Sequence, residues 1–84
     1  MKTLWAIYLG GRYGDGFIED HEIVFVVAQD KDEAKKLAKI KSKIVNDVHC
    51  DGVISISNVD GYDIEIKPSN NSEKVEHDNS YSKL

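Results

Sequence analysis

The sequence predicts a small α+β domain in the order ββαββ, a four-stranded mixed sheet with one amphipathic helix on one face. Three observations predict it. Two runs rich in Val, Ile and aromatic residues open the chain, at 3–9 and 18–28, and such residues suit the pleated surface of a strand. A lysine-rich segment then repeats apolar residues at spacings of three and four, as a helix with one buried stripe does. Last, two isoleucine-containing runs flank Asp60-Gly61, a hairpin signal.

The first strand is TLWAIYL, closed by Gly10-Gly11-Arg12. The second, IEDHEIVFVVA, is apolar on both alternating faces. Ile23, Phe25 and Val27 share one, and Val24, Val26 and Ala28 share the other. A strand apolar on both faces is normally covered on both. One helix covers one face, so the other predicts a homodimer or a second copy of the domain.

The helix starts at a D-x-x-E pair, Asp30 and Glu33, similar to a capping box. Leu37, Ile40, Ile44 and Val48 form the predicted stripe, which ends the helix near 46–48. Lys31, Lys35, Lys36, Lys39 and Lys43 fall opposite, and Lys41 snorkels at the border.

The hairpin VISISNVDGYDIEIKP has two possible loops. A two-residue type I′ turn at Asp60-Gly61 pairs Ile56 with Glu65. A three-residue loop, Val59-Asp60-Gly61 with a bulge at Gly61, pairs Ile56 with Ile64 and Ile54 with Ile66. Register follows the buried face, so the bulged loop is expected.

These elements fill residues 1–68 of the 84. Residues 69–84 are polar without periodicity and read as a flexible tail. Cys50 is the single cysteine, so no intrachain disulfide forms and a reducing cytoplasmic setting is expected. The apolar stretch from Leu4 to Leu9 is too short for a signal peptide, and no run is long enough for a membrane span. The net charge of −4 divides into −3 over residues 1–30, +4 over 31–45 and −5 over 46–84. The acidic remainder makes broad nucleic-acid binding an unfavoured role, and the lysine face of the helix is the one place for it.

Strand direction brings polar residues together. The loop 10–17, the start of strand two, the helix C-terminus and the segment 49–51 all lie at one end of the sheet. Glu19 and His21 are two apart on a strand and share a face, as His49 and Asp51 do if extended. The expected ligand-binding set is therefore Gly10, Gly11, Arg12, Glu19, His21, His49 and Asp51. Glu19, His21, His49 and Asp51 are alternatively a metal site of the His/carboxylate type. The plain alternative is a set of local hydrogen bonds and solvated carboxylates. Arg12 is expected to pair within the domain, with Glu19 or Asp20. The glycines match no phosphate-binding fingerprint. His49 and Cys50 are adjacent on an extended chain and point apart, so no catalytic residue is assigned and no cofactor is expected.

L-G-G-R at 9–12, I-E-x-H-E at 18–22, V-F-V-V-A at 24–28, H-x-D at 49–51 and V-D-G-Y at 59–62 together resemble a family of small bacterial proteins known only as domain of unknown function 1543. The resemblance runs from residue 3 to about residue 67. It implies one or two copies of the domain per chain, and brings no activity, cofactor or substrate. It singles out Gly10, Gly11, Arg12, Glu19, His21, His49 and Asp51, with Asp60 and Gly61 as turn residues. This chain departs from the family at Tyr13-Gly14, Phe17 and Gly52-Val53. The expected function is a non-enzymatic module that self-associates and binds a partner or small ligand at the 10–21/49–51 end. A metal-binding domain or small metal enzyme is the alternative, and a weak nucleic-acid binder the second.

Overall fold

The computed structural model describes residues 1–14 and 16–70. The fold is α+β: β1 (Thr3–Arg12), β2 (Asp20–Ala28), α1 (Lys31–Lys41), β3 (Asn46–Ile56), β4 (Asn58–Val59) and β5 (Tyr62–Asp63). β1 is the central strand of a three-stranded sheet, order β2-β1-β3, and both of its pairings are antiparallel. The expected four-stranded mixed sheet is therefore corrected. β4 and β5 form a separate two-stranded ribbon.

The ribbon also corrects the loop. Asn58 pairs with Asp63 and Val59 with Tyr62, which leaves Asp60-Gly61 as a two-residue turn. Both residues have positive φ, 54° and 83°, the requirement of a type I′ turn. The side-chain oxygen of Asn58 accepts from Gly61 N–H at 3.2 Å, and Ile64 N–H donates to Ser57 C=O at 2.8 Å. The isoleucine pattern misled because Ile54 and Ile56 are already opposite Ala6 and Leu4 of β1. They have no need of Ile64 and Ile66, which instead line a hollow with Met1, Lys2, Thr3, Ser57 and Glu65.

One face of the sheet packs on the helix. Ile7, Leu9, Val24, Val26, Ala28, Ala34, Ala38 and Ile44 are buried, with Trp5, Leu37, Val48, Cys50 and Val53 against them. The Trp5 indole N–H donates to Ala28 C=O at 3.1 Å. Among the described residues only Ile7 and Leu9 are large and wholly enclosed, so the core is thin even for a small domain.

The helix start is as expected. Asp30 caps it, accepting from Glu33 N–H at 2.8 Å, while Glu33 reaches back to Gln29 N–H at 3.2 Å. The stripe is different. It is built on Ala34, Leu37 and Ala38, and the small alanines let the helix sit close to the sheet. Ile40 is 80 % exposed. The helix stops at Lys41, five residues short of the expected end. There the Ser42 hydroxyl donates to Glu22 Oε1 at 2.6 Å and accepts from Ile44 N–H at 3.0 Å. A serine that satisfies local backbone groups ends a helix readily. Ile44 thus reaches the core from the segment between α1 and β3, and Val48 from β3. Lys41 Nζ donates to Phe25 C=O at 2.7 Å.

The other face is open. It carries Ala6 and Tyr8 from β1, Ile23, Phe25 and Val27 from β2, and Gly52 and Ile54 from β3, paired across the strands. Ile23, Phe25 and Ile54 are 60 %, 53 % and 63 % exposed. No described helix is long and apolar enough to cross a membrane. The tail beyond residue 70, with His77, lies outside the described residues.

Candidate functional site

One end of the open face carries the polar residues. Gly10 of β1 is opposite His21 of β2 on one side and His49 of β3 on the other. The two imidazoles thus flank a position with no side chain. A Cβ placed on Gly10 would lie 2.6 Å from His49 Nε2 and 2.9 Å from Asp51 Oδ2, so glycine here is the space that the cluster occupies. A β-bulge between the Tyr8/Gly52 and Leu9/Cys50 pairs leaves Asp51 as the extra residue on β3. Bulges re-aim side chains, and this one turns the Asp51 carboxylate towards His21 and His49.

Four side chains meet as a result. His49 Nε2 is 2.8 Å from Glu19 Oε1 and 3.2 Å from Asp51 Oδ1. His21 Nε2 is 3.6 Å from Glu19 Oε2 and 3.7 Å from Asp51 Oδ2. Tyr8 stacks on His21 with ring centroids 5.1 Å apart and planes 11° from parallel. All four side chains are partly exposed, which keeps the cluster open to small solutes.

The proton positions follow from the backbone. His49 Nδ1 lies 3.1 Å from Asp47 C=O. A carbonyl only accepts, so Nδ1 carries a proton and donates it there. In the neutral ring, Nε2 is then a bare lone pair. It faces two carboxylate oxygens that also only accept. Protonation relieves the conflict, and the His49 pKa is raised accordingly. The Asp47 carbonyl is the largest cause, desolvation opposes it, and the Asp51 and Glu19 charges add to it.

Gly11 has a different role from Gly10. Its φ is +152°, and an added Cβ would meet Ile44 Cγ2 at 2.5 Å and Asn46 C=O at 2.7 Å. It is needed for close approach of β1 to the chain entering β3. Arg12 pairs with Asp47, which corrects the expected pairing with Glu19 or Asp20. Asp20 instead accepts from Tyr13 N–H at 3.3 Å. The register explains this: Arg12 is opposite Asn46, next to Asp47. Asp47 itself has a φ of 53°, a conformation that Asp tolerates better than most residues. Gly11, Arg12, Phe17, Glu19 and Asp47 line a hollow of about 240 Å³ beside the cluster.

Cys50 sits on the core side of β3, its thiol 3.5 Å from Gly52 C=O, away from His49. Among the described residues no group of three or more His, Cys, Asp or Glu side chains is arranged to hold a metal ion. Sequence reasoning missed Tyr8 and Gly52. Both lie on the open face beside the cluster, and only the register of β1 against its neighbours identifies them.

The family model described as Domain of Unknown Function (DUF1543) matches residues 16–66, and the chain belongs to that family. The matched span contains Glu19, His21, His49, Asp51, Asp60 and Gly61, and begins after Gly10, Gly11 and Arg12. No curated protein and no solved structure matches the chain.

Proposed function

We propose that this member of the DUF1543 family is a non-enzymatic binding module that recognises a cationic group at the Glu19/His21/His49/Asp51 end of its sheet. The observation that carries the reading is the set of acceptors around His49 Nε2. With Nδ1 donating to Asp47, the neutral ring and two carboxylates present lone pairs to one another at 2.8 and 3.2 Å. A proton or an external cation resolves that arrangement. Above the imidazole range the proton leaves, and a cationic ligand takes its place. The Arg12 charge does not compete, because it is spent on Asp47.

The same reading has the module working as a pair of copies. Phe25 and Val27 stand exposed on the open face, at the end away from the cluster. Apolar side chains grouped in this way support self-association. Light scattering at high micromolar concentration tests it, and a monomer there contradicts it.

A divalent metal ion is the second reading, favoured by His49. A ligating imidazole usually donates its other N–H to a carbonyl or carboxylate, and His49 does so. The four Nε2–oxygen separations of 2.8 to 3.7 Å also bracket the roughly 3.4 Å between neighbouring ligands of a tetrahedral ion bound at about 2.1 Å. The side chains would have to turn to close on an ion, since none of the described groupings already holds one.

One titration separates the readings. Chelator-stripped protein at pH 8 receives methylamine or zinc while the imidazole nitrogens are followed by NMR. Saturable, joint shifts of His21 and His49 with methylamine support an organic cation. Joint shifts only with micromolar zinc support the metal. Silence with both refutes a cation site.

A further inference from the structure

The polar cluster does not end at His21. Beside it the open face has a hollow of about 290 Å³, lined by Ala6, Tyr8, Ile23, Gly52 and Ile54, with no polar surface. The hollow exists because β3 has glycine opposite Tyr8. Tyr8 belongs to both regions, since it walls the hollow and stacks on His21. Asp51 and Gly52 are consecutive, so the carboxylate and the missing side chain lie side by side on one strand. Aromatic faces also attract cations within about 6 Å of the ring. Tyr8 therefore suits a ligand whose charge and apolar body meet at its ring.

We infer that the cluster and the hollow are one site for an organic ammonium with a short apolar body, such as an alkylamine, its head group at Glu19, His49 and Asp51 and its chain over Gly52. This rests on the cation reading and narrows it. A bare metal ion uses the carboxylates and leaves the hollow empty. A neutral apolar molecule uses the hollow and leaves the acceptors unmatched. The volume suits only a small ligand, at the lower limit for such pockets.

A chain-length series tests the inference. Methylamine, butylamine and hexylamine are titrated at pH 8, where alkylamines are charged, with butanol as the neutral match. The imidazole shifts of His21 and His49 and the ring signals of Tyr8 report binding. Each methylene removed from water adds up to about fourfold in affinity, so butylamine is expected to bind tens of fold more tightly than methylamine. Butanol is expected to bind more weakly than butylamine. Gly52→Val fills the hollow. Its first carbon would lie 3.6 Å from Tyr8 Cβ, an ordinary contact, so the fold accepts it. The variant should keep methylamine binding and lose the gain with chain length.

A flat amine series overturns the inference and leaves the cation reading standing. A chain-length gain that survives Gly52→Val does the same. Butanol binding as tightly as butylamine overturns both, because the charge would then add nothing. Absence of binding by every amine refutes the organic-cation reading itself and leaves only the metal. The wild-type series and butanol decide the matter even if the variant does not fold.

Discussion

The two faces of the sheet are built from the same strands and do opposite things. The helix-side face gathers Ile7, Leu9, Val24 and Val26 under Ala34 and Ala38, and polar groups on it join elements. Glu22, for example, accepts from Ser42 and Lys43 and so latches the helix end to β2. The open face keeps apolar side chains in solvent and ends in a cluster whose carboxylates meet a donor at His49 Nε2 only while that ring is protonated. Stability resides on the first face, and the proposed recognition on the second. A residue's face, more than its type, decides which of the two a substitution disturbs.

The sharpest test of that contrast compares one residue from each face. Leu9→Ala empties a wholly enclosed site and should cost about 2–5 kcal/mol, enough to unfold much of so small a domain. Phe25→Ala on the open face should stay within about 0.5 kcal/mol in a monomer. Equal losses in urea melts at a concentration where light scattering shows a monomer would break the contrast, whereas a Phe25→Ala loss that grows with concentration is what self-association predicts.

The paired glycines divide the same way. Gly11→Ala forces Cβ into Ile44 and backbone at a positive φ, and about 1–3 kcal/mol of stability should be lost. Gly61→Ala meets no atom within 4 Å and loses only the φ preference, about 1 kcal/mol. Gly10→Ala strikes the far end of His49 and the carboxylate of Asp51, both able to move. It should leave the melting temperature near wild type and abolish the joint response of His21 and His49 to cations. If Gly10→Ala unfolds the protein as Gly11→Ala does, the cluster is part of the core and the contrast fails.

The smallest effect is with pH. His49 has a raised pKa in the folded state, so its contribution to stability is present below its ordinary value near 6.5 and is lost as pH rises through the raised one. The side chain is well exposed, so the change is small. Cation affinity should move in the opposite direction and rise with pH, because the proton is the competitor. Melts and titrations at pH 5 and pH 8 check both signs, and His49→Gln should remove both.

Much of this contrast was legible in the sequence because it depends on alternation and strand direction. Glu19 and His21 are two apart on one strand, and antiparallel strands return His49 and Asp51 to the same end. Arg12 was not legible, because its partner depends on a register that brings Asn46 and Asp47 beside it. Ala34 and Ala38 were overlooked because alanine carries little hydrophobic signal, although close packing needs small side chains. The Asp60-Gly61 turn was misread because the isoleucines of β3 already face β1, a long-range fact that local pattern does not contain. Gly52 marks a hollow only once Tyr8 stands opposite it.

On the proposed reading the polar end of the open face holds a cation. The most direct measurement is the methylamine titration at pH 8, followed at the imidazole nitrogens of all three histidines. Joint, saturable shifts of His21 and His49, with His77 unmoved, are the predicted result. Shifts of all three alike, or of none, would contradict it for an organic cation, and the same result with zinc would leave Glu19, His21, His49 and Asp51 as a surface network without a ligand.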